Sequence, residues 1–278
     1  MSAATAEPER TRLIHPGSSD LPPLVEVPGG MLPLPSVVKP PDVDVLSEWQ
    51  QKCGNENADC SWGSVWPAAV NLAALIASTP SLVQGQRVCE LGSGLGIPGL
   101  TAAAMGASTV TLIDREALAL HCAMSTAAVC GLRTGPVPDD SAAATSFYAT
   151  PSAGVVSASM ADWGADPAED LAFDVVLAAE VLYEPAAAMA FARSAERRLR
   201  KSGGTLLLAD PADGRGSSMR ATVAQALEDM GASVSELPLD APPAGDGWYS
   251  LRAGDGKAGV AAPTEAIVLL RADFGRTT

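Results

Sequence analysis

Short, almost uninterrupted apolar runs alternate along this chain with longer segments whose apolar residues recur at helical spacing. Seven runs predict strands: "RVCEL", "STVTLID", "GVVSASMADW", "FDVVLAAEVLY", "TLLLAD", "ASVSELPL" and "EAIVLLRAD". Segments such as "VWPAAVNLAALIAS" and "REALALHCAMSTAAVCG" predict helices between them. Buried strands that alternate with helices are typical of a mainly parallel sheet covered on both faces. The pattern therefore predicts an α/β fold, a single domain with a Rossmann-like, doubly wound, seven-stranded sheet.

Some segments depart from this alternation. Residues 1–60 are rich in proline and glycine and predict an irregular N-terminal arm, partly disordered, with short strands. We expect residues 61–278 to form the domain itself. Two stretches rich in proline, glycine and alanine, residues 132–153 and 239–263, predict surface insertions within it.

Composition and charge narrow the class of protein. The net charge is −14, and no basic stripe is present to neutralise phosphates, so we expect no nucleic-acid partner. No apolar run approaches the roughly 20 residues of a membrane span, so we expect no membrane association. Five cysteines without CxxC spacing and only two histidines predict reduced thiols and no metal site. We expect a cytoplasmic protein, with a nuclear location compatible, and a monomer.

The stretch "CELGSGLGIPGL" carries the strongest chemical signal. Its glycines are too dense for an ordinary strand or helix, and they follow the first strand of the predicted sheet. Ligands of doubly wound sheets bind at such strand ends. Without Cβ atoms, the turn lets a ligand approach the backbone, whose amides can donate hydrogen bonds.

Two cofactors compete for this turn. Gly94, Gly96 and Gly99 match the dinucleotide motif G-x-G-x-x-G, which is weak evidence alone. Glu90 followed by alternating glycines suits S-adenosylmethionine (SAM), because a carboxylate can anchor its ammonium group. Asp114, at the end of the second strand, stands where an acid accepts ribose hydroxyls in either case, although it could also cap the next helix.

Five segments in this order resemble the seven-β-strand (class I) SAM-dependent methyltransferases: "GSVWPAAVNLAALI", "VCELGSGLGIPGL", "VTLIDREALAL", "ADWG" and "FDVVLAAEVLYEP". More closely, they are similar to the non-histone protein lysine methyltransferases. The likeness covers about residues 60–210. It implies SAM as the cofactor, a methyltransferase activity, and a lysine-containing protein as the substrate.

The resemblance also implies roles for particular residues. Glu180 and Tyr183 match the substrate-side motif, where Glu180 would hold the lysine ammonium and Tyr183 would form an aromatic wall and donate a hydrogen bond. The positions that match the family's cofactor contacts are Trp66, Gly92, Ser93, Gly94, Asp114, Asp162, Trp163 and Ala179. The alternatives are that the tryptophans and Tyr183 are packing residues, and that Glu180 caps the following helix.

The chain departs from the family pattern in ways that concern the substrate. Glu180 replaces the family's usual aspartate, "STAA" replaces an asparagine near residues 125–128, and the predicted insertion at 132–153 lengthens a short connection. A small-molecule or other-residue N-methyltransferase, or a SAM-binding module without catalysis, therefore stays open. A deep, closed cavity would favour a small molecule, and an open acidic rim would favour a protein.

Overall fold

The computed structural model describes residues 21–29, 33–135, 155–164, 172–199, 203–213, 215–240 and 266–275. Most of both predicted insertions, and residues 1–20 of the predicted arm, lie outside these ranges. The helices are α1 (Val43–Lys52), α2 (Pro67–Ser78), α3 (Ile97–Ala104), α4 (Ala117–Val129), α5 (Ala188–Leu199) and α6 (Arg215–Asp229). The strands are β1 (Val25–Pro28), β2 (Ser36–Lys39), β3 (Arg87–Leu91), β4 (Thr109–Asp114), β5 (Arg133–Thr134), β6 (Val155–Met160), β7 (Val175–Ala179), β8 (Thr205–Pro211), β9 (Ser233–Leu239) and β10 (Ile267–Asp273).

The main sheet has the strand order β5-β6-β4-β3-β7-β8-β10-β9. Strands β3 to β8 pair in parallel, and β10 lies antiparallel between β8 and β9. This confirms the predicted mainly parallel α/β sheet. The described part of the sheet has eight strands, one more than predicted, because two-residue β5 pairs with β6 from within a stretch assigned to an insertion.

Helices bury both faces of this sheet. Leu72 of α2, Leu100 of α3 and Leu120 of α4 belong to one apolar cluster. Phe191 of α5 and Val223 of α6 belong to the cluster on the other face. Within the described ranges, no helix combines the length and the apolar character that a membrane crossing requires.

The arm is more regular than predicted. Strands β1 and β2 pair antiparallel, and α1 follows them, although the sequence predicted no helix there. The Asp42 side chain begins this helix by accepting a hydrogen bond from the Val45 amide at 2.7 Å. Leu34, Val37 and Leu46 are fully buried in the cluster that contains α2, α3 and α4. This part of the arm therefore shares the core of the sheet domain.

The topology sets the position of the site. The chain order reverses at β3, which has β4 on one side and β7 on the other. A reversal of this kind opens a crevice beyond the carboxyl ends of the strands. The ends that meet there are Leu91, Asp114 and Ala179.

Candidate active site

A cavity of about 1050 Å³ lies at these strand ends. It brings together all of the site residues predicted from the sequence, which come from five separate stretches of the chain. Its lining includes Trp66, Glu90, Gly92, Ser93, Gly94, Asp114, Asp162, Trp163, Ala179, Glu180 and Tyr183.

The glycine turn folds against itself through its own amides. Gly92, Gly94 and Gly96 have φ angles of 63°, 49° and 71°, a left-handed conformation that favours glycine. The Gly94 amide donates to Asp114 Oδ2 at 2.7 Å, and the Gly96 amide donates to the Ser93 carbonyl at 2.7 Å. The Ser93 amide is likewise taken by the Ile113 carbonyl at 3.0 Å. We expected turn amides to serve a ligand, but these three already have partners within the protein.

Glu90 and Asp114 form an acidic floor beneath the turn. Glu90 Oε2 accepts from the Gly99 amide at 2.8 Å, and burial raises the pKa of this carboxyl well above its usual range. Burial also raises the pKa of Asp114, whose Oδ1 accepts from the Glu116 amide at 2.9 Å. A cationic group beside Glu90 would stabilise its charged form, so this acid suits an ammonium, and the ribose role of Asp114 stays a prediction.

Glu180 has an unusual backbone. The sequence predicted that this strand continues to Tyr183, but β7 ends at Ala179. The next residue, Glu180, leaves the extended conformation and has a left-handed backbone with φ 53°. Glu180 is the one non-glycine residue with positive φ in the described part of the chain. Such a conformation costs of order 1–3 kcal/mol and is concentrated at active sites.

The Glu180 carboxylate points back to helix α2. Its Oε2 accepts a hydrogen bond from the Ala68 amide at 3.1 Å, in the first turn of that helix. The carboxylate therefore bonds to a helix that precedes it in the chain, and its capping of the helix that follows stays an untested alternative. This hydrogen bond fixes the carboxylate at the cavity wall beside Trp66, the N-cap residue of α2.

Tyr183 takes part in a network that the sequence did not predict. Its hydroxyl donates to Asp59 Oδ2 at 3.3 Å and accepts from Arg115 Nη2 at 3.3 Å. Arg115 also pairs with Asp59 at 3.4 Å and with Glu184 at 3.6 Å. The hydroxyl proton is thus directed to Asp59, so the expectation that Tyr183 donates to the substrate is wrong for this arrangement. Burial raises the pKa of Tyr183 to about 12, which keeps the phenol neutral.

The aromatic residues line the cavity in different ways. Trp66 is 39% exposed, and its indole Nε1 donates to the Ser61 carbonyl at 3.1 Å. Trp163 lies edge-on to Phe191, with ring centroids 5.3 Å apart. Trp62, which the sequence analysis missed, is also in the lining and is buried.

Negative charge dominates the lining. The described residues that line the cavity include nine carboxyl side chains and one Lys or Arg, Arg115. The carboxyl residues are Asp59, Glu90, Asp114, Glu116, Asp162, Glu180, Glu184, Asp210 and Asp213. Such a surface attracts cationic groups and repels phosphates.

The strand order and the crevice at the reversal point define a Rossmann-like, doubly wound fold. Residues 46–135 match the family model described as "Lysine methyltransferase". The Protein N-lysine methyltransferase METTL21A of Danio rerio is 46% identical over 52 residues. That match covers 19% of this chain and 23% of the relative, so it spans about a quarter of the relative's length. The resemblance to lysine methyltransferases is thereby confirmed over this part of the chain.

Solved structures agree with the fold. The precorrin 8W decarboxylase of Methanobacterium thermoautotrophicum superposes with a TM-score of 0.51 at 16% identity. The alignment covers 77% of this chain and 94% of that chain. At this identity the likeness concerns the fold alone.

Proposed function

We propose that this chain is a SAM-dependent methyltransferase that transfers methyl groups to a lysine side chain of a protein. One observation carries the proposal: the residues assigned from the methyltransferase resemblance converge on a single cavity at the strand ends. The family match over residues 46–135 supports the same reaction class.

The cavity fits SAM in two respects. Its left-handed glycine turn lets a ligand approach the backbone closely. Its floor carries two buried acids, Glu90 and Asp114, for groups that donate hydrogen bonds. When bound, SAM supplies an electrophilic methyl group on a sulfonium.

The remaining chemistry concerns the acceptor lysine. A free lysine has a pKa of about 10.4 and must lose its proton before it attacks. The acidic rim draws the ammonium in, and partial burial beside Trp66 and Tyr183 favours the neutral amine. Glu180 accepts a hydrogen bond from the nitrogen and orients it, and the proton leaves to water. The Tyr183 oxygen is a second acceptor, because its own proton is directed to Asp59.

The shape of the rim favours a protein over a small molecule. Trp66 and Tyr183 are each 39% exposed, and the carboxylates of Asp59 and Glu184 reach solvent beside them. An exposed acidic rim of this kind suits a lysine that arrives on a peptide. The proposal includes a cytoplasmic location, a monomeric state and no nucleic-acid partner, all of which are compatible with the net charge of −14.

The test is transfer of tritiated methyl from SAM into a cell lysate by the full chain. Glu180→Gln is the informative variant, because glutamine can still accept from the Ala68 amide but carries no charge. Glu48→Gln, on an α1 side chain that is 70% exposed, is the matched control. We expect a labelled protein band with the wild type and the control, and a strong loss with Glu180→Gln. Label confined to small molecules would refute the protein substrate.

A further inference from the structure

One carboxylate of the arm bonds to several residues at the edge of the cavity. Asp59, which lies between α1 and α2, lines the cavity, and its side chain is 30% exposed. Its Oδ1 accepts from the Ser61 amide at 2.9 Å and from the Ser61 hydroxyl at 2.6 Å. Its Oδ2 faces the Tyr183 hydroxyl and the Arg115 guanidinium. Both oxygens of this carboxylate are therefore held in place.

The charge of Asp59 decides the direction of its hydrogen bond to Tyr183. Burial opposes this charge, but the hydrogen bonds from Ser61 and the positive charge of Arg115 hold the pKa of Asp59 below its ordinary value. An ionised carboxylate can only accept, so the Tyr183 hydroxyl is the donor across the 3.3 Å between them. Arg115 carries only donors, so it donates to the same hydroxyl oxygen at 3.3 Å. With its proton committed to Asp59, the Tyr183 oxygen can offer a ligand only a lone pair.

Ser61 extends this arrangement to the second exposed aromatic residue of the cavity. The Ser61 carbonyl accepts from the Trp66 indole Nε1 at 3.1 Å, while the amide and the hydroxyl of Ser61 donate to Asp59. Trp66 and Tyr183 both line the cavity, and each is 39% exposed. One turn of the arm thus contacts Tyr183 directly and Trp66 through Ser61.

We propose that Asp59 is a positioning residue for the methyl acceptor, because it fixes Tyr183 as a hydrogen-bond acceptor for the substrate amine and holds Trp66 through Ser61. This inference rests on the proposed function. Asp59 acts through the two aromatic side chains and makes no contact with the reacting atoms itself. The arrangement selects a substrate group that carries N–H bonds, as an amine does, over one that presents only lone pairs, as a carboxylate does.

The test introduces Asp59→Asn into the full-length wild type and into Tyr183→Phe. Asparagine keeps one oxygen, which can still accept from Ser61, and its NH₂ group faces Tyr183 in place of Oδ2. That group cannot accept the phenol proton, so the hydrogen bond to Tyr183 reverses its direction. The matched control is Asp44→Asn, at an exposed aspartate of α1 outside the cavity lining.

The measured quantity is the initial rate of methyl transfer from saturating tritiated SAM into limiting cell-lysate protein, which is proportional to kcat/KM. We expect Asp59→Asn to lower this rate about tenfold in the wild type, because a hydrogen bond to a charged amine is lost. In Tyr183→Phe, which lacks the hydroxyl, Asp59→Asn should lower the rate no further. Asp44→Asn should change neither rate, and calorimetry should give the same SAM affinity for every variant.

The proposal has several distinct ways to fail. Equal losses in the two backgrounds would show that Asp59 does not act through Tyr183, and an unchanged rate would remove its role altogether. A weakened SAM affinity in Asp59→Asn would place the residue on the cofactor side. A wild type that binds SAM but labels no lysate protein would refute the proposed function itself, and this inference would fall with it.

A second measurement follows the link through Ser61 and needs no substrate. Asp59→Ala removes both bonds to Ser61, whereas Asp59→Asn retains an oxygen for them. In ¹⁵N-labelled protein, the Trp66 indole resonance, assigned with Trp66→Phe, should move upfield in Asp59→Ala because its bond to the Ser61 carbonyl loosens. It should stay in place in Asp59→Asn. A resonance that does not move in Asp59→Ala would contradict the link to Trp66.

Discussion

Substitution of Gly92 by alanine should destabilise the protein through two separable effects. The residue has φ 63°, so alanine there incurs the left-handed penalty of roughly 1–2 kcal/mol. The added Cβ would also lie 2.8 Å from Val181 Cγ1 and 3.1 Å from Trp163 Cζ2. Val181 is buried and stiff at χ1, so it cannot easily move aside. Overpacking of this kind adds about 1–3 kcal/mol, which gives a total of about 2–5 kcal/mol.

Gly131→Ala is a matched control for the backbone effect alone. Its φ of 68° is close to that of Gly92, but a Cβ there would meet no atom of the described residues within 4 Å. We therefore expect Gly131→Ala to cost only the left-handed penalty, roughly 1–2 kcal/mol. The difference between the two variants isolates the overpacking of Val181 and Trp163.

Urea unfolding and thermal denaturation measure this difference. At roughly 2–4 °C per kcal/mol, the Tm of Gly92→Ala should lie several degrees below that of Gly131→Ala. Because Val181 and Trp163 line the cavity, Gly92→Ala should also weaken SAM binding, whereas Gly131→Ala should not. Equal losses of stability in both variants would refute the overpacking argument.

Three further predictions concern other residues. Glu90→Gln should raise the Tm at pH 8 and flatten the pH dependence of the Tm. Burial raises the pKa of Glu90, so the folded state binds the proton more tightly than the unfolded state does. The stability of the wild type therefore falls as the pH rises above 4.5. A wild-type pH profile in the variant would contradict this. Arg220→Ala should lower the free energy of unfolding by about 3–5 kcal/mol, because its partner Asp210 is only 3% exposed. Arg271→Ala, at the exposed pair with Asp273, should lower it by at most about 1 kcal/mol, and urea unfolding measures both. Tyr183→Phe should slow single-turnover methyl transfer roughly tenfold with unchanged SAM affinity, and a weakened SAM affinity would place the residue in cofactor binding instead.

The sequence predicted the central strands well because buried parallel strands are almost continuously apolar and end at glycines or acids. The run "RVCEL" coincides with β3, and Asp114 ends β4 as expected. The pattern failed at residues 180–183, where Val181 and Leu182 continue the apolar run but are buried in an irregular segment. The apolar side chains there indicate burial correctly. They do not indicate where the strand ends, because the left-handed backbone of Glu180 ends it.

The contacts that organise the site were less accessible to sequence analysis. The Tyr183 hydroxyl meets Asp59 across 124 positions, and Arg115 meets Asp59 across 56. No local spacing encodes such pairs, because they form only when the arm packs beside the strand ends. Trp62 was missed for a related reason, since its unpaired indole N–H becomes apparent only after the surrounding donors have found partners.

The segment between α1 and α2 has a consequence for the lifetime of the protein. It supplies Asp59 and Trp62 to the cavity wall, while α1 packs into the same core as the sheet. A ligand that binds only when this wall is in place stabilises the docked arm by mass action. Amide exchange and proteolytic cleavage across residues 43–66 should therefore slow as ligand saturates the cavity, while exchange in β9 and β10 changes little. The degradation rate of the chain would then depend on the concentration of the ligand that fills the cavity.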